Sequence, residues 1–146
     1  MSISYIVEGV KRPKLRYRMV SVWLKQIVKK FGCMTGDLTY IFCDDEYLKN
    51  INSKYLNHDY YTDIVTFDYR VGKVVSGDMF ISINRVTENS TLFKCDLNDE
   101  FLRVIVHGLL HLLGQSDSNE VESANMRRME NESIFMFKEI CNEYIK

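Results

Sequence analysis

Apolar residues along this chain recur either at helical spacing or in short blocks rich in β-branched and aromatic side chains, and the two patterns alternate irregularly. Residues 3 to 7 read as a short strand. Leu15, Met19, Val22, Trp23 and Ile27 share one face of a helix near residues 14 to 31, which Gly32 stops. Leu38 to Cys43 contains Thr39-Tyr40-Ile41-Phe42, a run of strand formers. Asp44 or Asp45 can cap a following helix through Leu48, Ile51 and Tyr55. Residues 63 to 70 and 74 to 83 form two strand-like runs separated by Val71-Gly72-Lys73, a hairpin with Gly72 in its turn. Asp96 or Asn98 opens a strongly apolar helix that ends at Gly114, and residues from about 119 to 145 make a last amphipathic helix. The mixture lacks a strict βαβ alternation, so the expected class is α+β.

No repeat, low-complexity tract or Pro/Gly/Ser-rich linker interrupts this pattern, so residues 1–146 are expected to form a single domain. No run of 18 uncharged apolar residues occurs and the N-terminus lacks a signal-peptide pattern, which points to a cytoplasmic protein without a membrane segment. Cys33, Cys43, Cys95 and Cys141 are too scattered for a disulfide framework and read as reduced thiols, small residues of the core.

Charge sharpens the picture. The net value of −1 conceals an asymmetry: residues 1–36 hold eight Lys/Arg against one Glu, or +7, and the other 110 residues hold 11 basic and 19 acidic side chains, or −8. The basic front of the chain is either the solvated face of an amphipathic helix or a footprint for an anionic polymer such as a nucleic acid, with Arg16, Arg18, Lys25 and Lys29 as the candidate phosphate contacts.

Chemistry concentrates at His107-Gly108-Leu109-Leu110-His111. Four residues of helix advance about 6 Å and rotate roughly 400°, so both imidazoles project from one face and can converge on one ion. On a leucine-rich helix two polar rings need partners, and a metal supplies a reason for them. A continued helix would carry Asp117 to another face, but Gly114 can end the helix and let Gln115-Ser116-Asp117 fold back beneath the histidines. The competing role for Asp117 is to cap the last helix. His107, His111 and Asp117 together would leave a coordination position open, the mark of a catalytic site. Gly108 occupies the position where a zinc peptidase of the H-E-x-x-H type needs its general base, which disfavours peptidase chemistry, while a metal-bound water could still provide hydroxide for attack on a phosphodiester.

The run from His107 to Asp117, H-G-L-L-H-L-L-G-Q-S-D, resembles the H-G-x-L-H-L-x-G-Y-D-H signature of the YbeY family of bacterial rRNA-maturation endoribonucleases. Thr62-Asp63-Ile64-Val65-Thr66-Phe67 and Gly77-Asp78-Met79-Phe80-Ile81-Ser82 are similar to two further blocks of that family, in order and spacing. The resemblance implies a zincin-like α+β fold and one bound zinc or other divalent ion. It also implies a single-strand-specific endoribonuclease of small-subunit rRNA 3′-end maturation and ribosome quality control. The implied partners are rRNA, the small ribosomal subunit and a ribosome-assembly GTPase. The alternative is a ribosome-associated RNA-binding assembly factor with a largely structural metal and weak or no cleavage. Two positions depart from the family pattern. Its third histidine falls on Asp117, and an arginine it usually carries falls on Leu56, which cannot clamp phosphate; His58, two residues on, is the candidate substitute donor, or else a loop histidine bonded to Asp59.

Overall fold

The computed structural model describes residues 2–145, and its elements run β1 (Ile3–Val7), α1 (Tyr17–Lys30), β2 (Met34–Cys43), α2 (Asp45–Leu56), β3 (Ile64–Asp68), β4 (Val74–Ser82), α3 (Ile83–Leu92), α4 (Leu97–Leu112) and α5 (Glu120–Ile145). The four strands make one mixed sheet in the order β1-β2-β4-β3. β2 pairs in parallel with both β1 and β4, and β3 closes the other edge antiparallel to β4. The expected α+β architecture is present: a small mixed sheet packed with helices, and a long apolar helix followed by a turn.

Alternation along the strands sorts side chains to two faces. Leu38, Tyr40, Phe42, Val75, Met79 and Ile81 join the main core with Trp23, Leu24 and Ile27 of α1, Ile105 and Leu109 of α4, and Phe137 of α5. Cys43, Val65, Phe67 and Phe80 enter a smaller cluster with Leu48 and Ile51 of α2. Two large buried side chains place their polar atoms within this frame: the Trp23 indole donates to the Ser133 carbonyl at 2.7 Å, and the Tyr40 hydroxyl to the Ile105 carbonyl at 3.0 Å. Gly108 lets α4 lie close on the sheet, because a Cβ there would meet Ile64 Cδ1 at 2.7 Å and Met79 Cγ at 3.3 Å. The residue whose identity argues against a peptidase is thus also the one that seats the helix.

Several expectations need correction. α1 begins at Tyr17 rather than near residue 14; Leu15 packs on the core from outside the helix, in a segment where the Pro13 carbonyl accepts from the Leu15 N–H and the Tyr17 hydroxyl. β2 starts four residues before Leu38, and its register shifts between Thr35 and Leu38. That bulge carries Gly36 past Ser76 so closely that a Cβ would lie 2.1 Å from its hydroxyl oxygen. α3 was not anticipated. It is capped by Ser82, whose side chain accepts from the Arg85 N–H, and its buried residues are only Val86 and Ser90. Of the two alternatives for each cap, Asp44 takes α2 and Asp96 takes α4. The four cysteines are free thiols, but only Cys43 and Cys141 are buried; Cys33 is half-buried and Cys95 exposed.

Candidate metal centre

α4 presents its aliphatic residues to the sheet and to α5, which leaves His107 and His111 on its remaining, half-buried face. The helix ends as glycine allows. Gly114 takes φ +92°, its N–H donates to the His111 carbonyl at 3.0 Å, and the Gln115 N–H reaches the Leu110 carbonyl at 2.9 Å. These are the two bonds of a Schellman closure. It reverses the chain so that Asp117 returns under the histidine pair.

The three side chains converge. His107 Nε2 and His111 Nε2 are 3.0 Å apart. Asp117 Oδ2 lies 3.4 Å from His107 Nε2 and Asp117 Oδ1 3.6 Å from His111 Nε2. The competing capping role for Asp117 is filled by Asn119, whose side chain accepts from the Glu122 N–H at 2.9 Å.

Whether a metal fits can be judged from the far side of each ring. His107 Nδ1 donates to Glu130 Oε2 at 2.7 Å and His111 Nδ1 donates to the Gln115 carbonyl at 2.9 Å. A carboxylate and a backbone carbonyl only accept, so each ring keeps its proton on Nδ1 and turns the Nε2 lone pair inward. Two lone pairs and a carboxylate facing one another repel unless a proton or a metal cation sits among them. The Asp117 edges of 3.4 and 3.6 Å match a tetrahedral ion whose bonds are about 2.0–2.2 Å long, which sets its donors roughly 3.3–3.6 Å apart, while the 3.0 Å edge between the two Nε2 atoms is shorter and would open slightly around such an ion. The cluster therefore suits a divalent metal, with imidazole orientation fixed by acceptors behind the ligand atoms.

The surroundings are acidic and wired together. Glu130, buried on α5, also accepts from Arg103 Nη1 at 3.0 Å, and Arg103 reaches Glu100 at 3.8 Å and Asn131 at 2.8 Å. Burial pulls the His107 pKa down, but the Glu130 hydrogen bond and charge, followed by the charges of Asp117 and Asp63, outweigh it and leave the ring above its usual range. Asp63 stands immediately before β3, and burial raises its carboxyl despite the opposing pull of His107. A cleft of about 260 Å³ on the α3 and α5 side is lined by Asp63, Arg103, His107, Asp117, Arg127 and Glu130 among others. A second, of about 360 Å³, lies toward α2 and β3 and is lined by Leu56, His58, Tyr60, Asp63 and all three of His107, His111 and Asp117.

Of the residues expected to meet RNA, only His58 lines either cleft. Its ring is not bonded to Asp59: His58 Nδ1 lies 3.1 Å from the Tyr60 hydroxyl, and Asp59 faces Lys49 at 4.0 Å. Arg16, Arg18, Lys25 and Lys29 are all exposed on or beside α1, away from the clefts. Asp63, Arg103, Arg127 and Glu130 were not singled out as site residues from sequence. For Glu130 a signal existed, because it occupies the core stripe of α5 with Met126, Ile134 and Phe137, where a carboxylate needs a partner.

A histidine pair and a carboxylate around one point, open to solvent on an α+β scaffold, define the site of a metal-dependent hydrolase. The model of one such family, Endoribonuclease YbeY, matches residues 9–138, and the chain belongs to it. Among curated relatives, "Endoribonuclease YbeY" of Parabacteroides distasonis is 43% identical over 97% of this chain and 99% of its own. The protein of that name from Porphyromonas gingivalis is 41% identical over 94% and 91%, and that of Flavobacterium johnsoniae 45% over 79% and 83%. A solution structure of a Thermotoga maritima protein aligns over 98% of this chain and 91% of that one, with a TM-score of 0.64 at 23% identity, a likeness of fold. No helix among the described residues is long and apolar enough to cross a membrane.

Proposed function

We propose that residues 1–146 act as one cytoplasmic metallo-endoribonuclease domain that cuts single-stranded RNA in 3′-end maturation of small-subunit rRNA, with zinc held by His107, His111 and Asp117. The observation that carries this reading is the pair of inward-facing Nε2 atoms 3.0 Å apart, each ring fixed from behind by an acceptor. Bound there, a dication supplies Lewis acidity toward a phosphodiester and neutralises charge developing on its oxygens. Glu130 and the Gln115 carbonyl hold the imidazoles in the required tautomer. Asp63 borders both clefts, is not part of the ligand triangle, and is suited to take up a proton from the attacking water.

Substrate phosphates need positive charge near this acidic site. Arg103 is committed to Glu100, Glu130 and Asn131, whereas Arg127, which lines the α5-side cleft and also a surface pocket beside Asp117, has no ion pair among the described residues. Arg127 is therefore the cation suited to a phosphate next to the scissile one, and the Arg16, Arg18, Lys25 and Lys29 surface serves more distant phosphates, of the small subunit's rRNA, on the ribosome or with an assembly GTPase. Leu56, where a phosphate-clamping arginine is expected, favours one alternative, an assembly factor whose metal is structural.

Metal content and cleavage of defined single-stranded RNAs, measured on the same preparations, test the assignment. Wild type should carry one divalent ion per chain and cut. His111→Ala and Asp117→Ala should lose most of the metal and at least about 100-fold of the activity, as expected when a ligand is removed from a metal that does the chemistry. Wild-type metal content in either variant would exclude that residue as a ligand. A loaded protein that binds RNA without cutting it would establish the assembly-factor reading instead.

A further inference from the structure

The α2-side cleft carries a feature that the metal chemistry does not use. Leu56, His58 and Tyr60 line this cleft together with His107, His111 and Asp117. Leu56 and Tyr60 are 39% and 53% exposed, and His58 is exposed as well. The His58 and Tyr60 rings lie nearly parallel, 21° between planes and 5.3 Å between centroids, and His58 Nδ1 meets the Tyr60 hydroxyl at 3.1 Å. Apolar and aromatic surface thus adjoins an otherwise acidic site.

This surface is held in position from below. Asn52 of α2 is buried at 2% exposure; its carbonyl accepts from the Asn57 and His58 N–H groups and its carboxamide donates to the Tyr60 carbonyl at 3.2 Å. Asn57 supplies the left-handed turn, φ +57°, that swings the chain off the helix end. Both ends of His58-Asp59-Tyr60 are therefore tied to one buried residue, the first through its backbone carbonyl and the last through its side chain, and the rings stand as a preorganised ledge.

We infer that Leu56, His58 and Tyr60 form a stacking ledge for one unstacked nucleobase of the RNA, beside the scissile phosphate. The inference rests on the RNA reading above and deepens it. Every base has a π-face, so an aromatic ledge accepts bases with little regard to sequence. A base inside a duplex has both faces covered by its neighbours, so only a single strand, loop or end can lay one on the ledge. Leucine at position 56 extends the apolar floor under the base where an arginine would bring charge. The cut is selected for single strands by stacking, and the phosphate beside the stacked base is delivered to the ligand triangle.

The test pairs base deletion with side-chain deletion. Metal-loaded wild type, Tyr60→Ala, Tyr60→Phe and His58→Ala are assayed on one single-stranded RNA and on copies with one abasic nucleotide moved along the strand. Tyr60→Ala should lower kcat/KM about tenfold, in the range of a lost base–aromatic stack, and Tyr60→Phe should keep most of it. Metal content should be unchanged in all four. At one abasic position wild type should show the same loss, and Tyr60→Ala should show no further loss there. Losses that multiply at every position, or a Tyr60→Ala variant that cuts as wild type does, overturn the ledge. If loaded wild type does not cut RNA at all, the nuclease reading fails separately. The ledge is then judged by quenching of 2-aminopurine in the same RNA on binding: quenching lost in Tyr60→Ala supports it, and equal quenching overturns it.

Discussion

The outer face of α1 and the cleft under α4 use charge in opposite ways. Arg16, Arg18, Lys25 and Lys29 are exposed, and among the described residues none of them has an ion pair. In the cleft, Glu100, Arg103, His107, Glu130 and Asp117 are linked into a continuous network, with Glu100 and Glu130 buried. Exposed cations at these spacings stay solvated and act through long-range attraction that salt screens. Buried, mutually bonded charges fix geometry and respond to the loss of any partner. On the reading proposed above, the difference gives affinity for a polyanion to one region and placement of a dication to the other, and it can be broken from either side.

The largest effect should come from cutting the network behind a ligand without touching the ligand. Glu130→Gln keeps the shape but replaces a charged acceptor of the His107 Nδ1 proton, and of Arg103, with a carboxamide. Removing a carboxylate behind a metal-bound histidine typically costs about 10–100-fold in metal affinity or activity. Titration with zinc under a competing chelator should show a loss in that range. Wild-type affinity would mean that ring orientation is set by packing alone, and the contrast with α1 would lose its main support.

A smaller effect is expected from the other side. Arg16→Glu with Arg18→Glu, or Lys25→Glu with Lys29→Glu, should weaken binding of long RNAs of unrelated sequence to similar degrees. Each lost phosphate contact should reduce the salt slope by about 0.7–0.9. Metal content and cleavage of a short oligonucleotide should stay near wild type. Equal loss on short and long RNA would place α1 at the scissile strand, and no loss at low salt would return it to a solvated helix face.

What could be read from sequence divides along a related line. His107, His111 and Asp117 lie within one helix and its turn, so helical geometry plus a terminating glycine was enough to bring them together. Asp63, Arg103, Arg127 and Glu130 reach the site from other elements or from packing, and no local spacing announces that. The same holds for elements. β1, the hairpin around Gly72, α4 and α5 carry strong periodicity. α3, Ile83-Asn84-Arg85-Val86-Thr87-Glu88-Asn89-Ser90-Thr91-Leu92, is mostly polar or β-branched and buries little, so tertiary contact with α4 rather than propensity sustains it. The basic front was legible as a charge bias, but not its distance from the metal site, which depends on how the sheet orders its strands.

The finest discrimination between the two regions is their response to pH. In the metal-free protein His107 titrates above its ordinary value of 6.5, because the Glu130 hydrogen bond and the neighbouring carboxylates outweigh the burial that pulls it down. A raised pKa in the folded state means the fold favours the protonated ring. That contribution is fully present below the unfolded pKa, about 6.5, and is lost as pH rises through the raised value. Metal binding has the opposite sign, since the ligand nitrogen must be free of its proton and an ion that binds only the folded state stabilises it. Chelated protein should therefore melt at lower temperature on going from about pH 6 to about pH 8, while the increment added by zinc grows over the same interval. Glu130→Gln should flatten the first trend, because a neutral partner no longer favours the imidazolium. The α1 charge reversals should leave both trends unaltered, since the groups that act on His107 are Glu130, Asp117 and Asp63 and none lies on α1. A chelated wild type that gains stability between these pH values would show that the His107–Glu130 pair does not hold an imidazolium, and the cleft would then have to be neutralised by the metal alone.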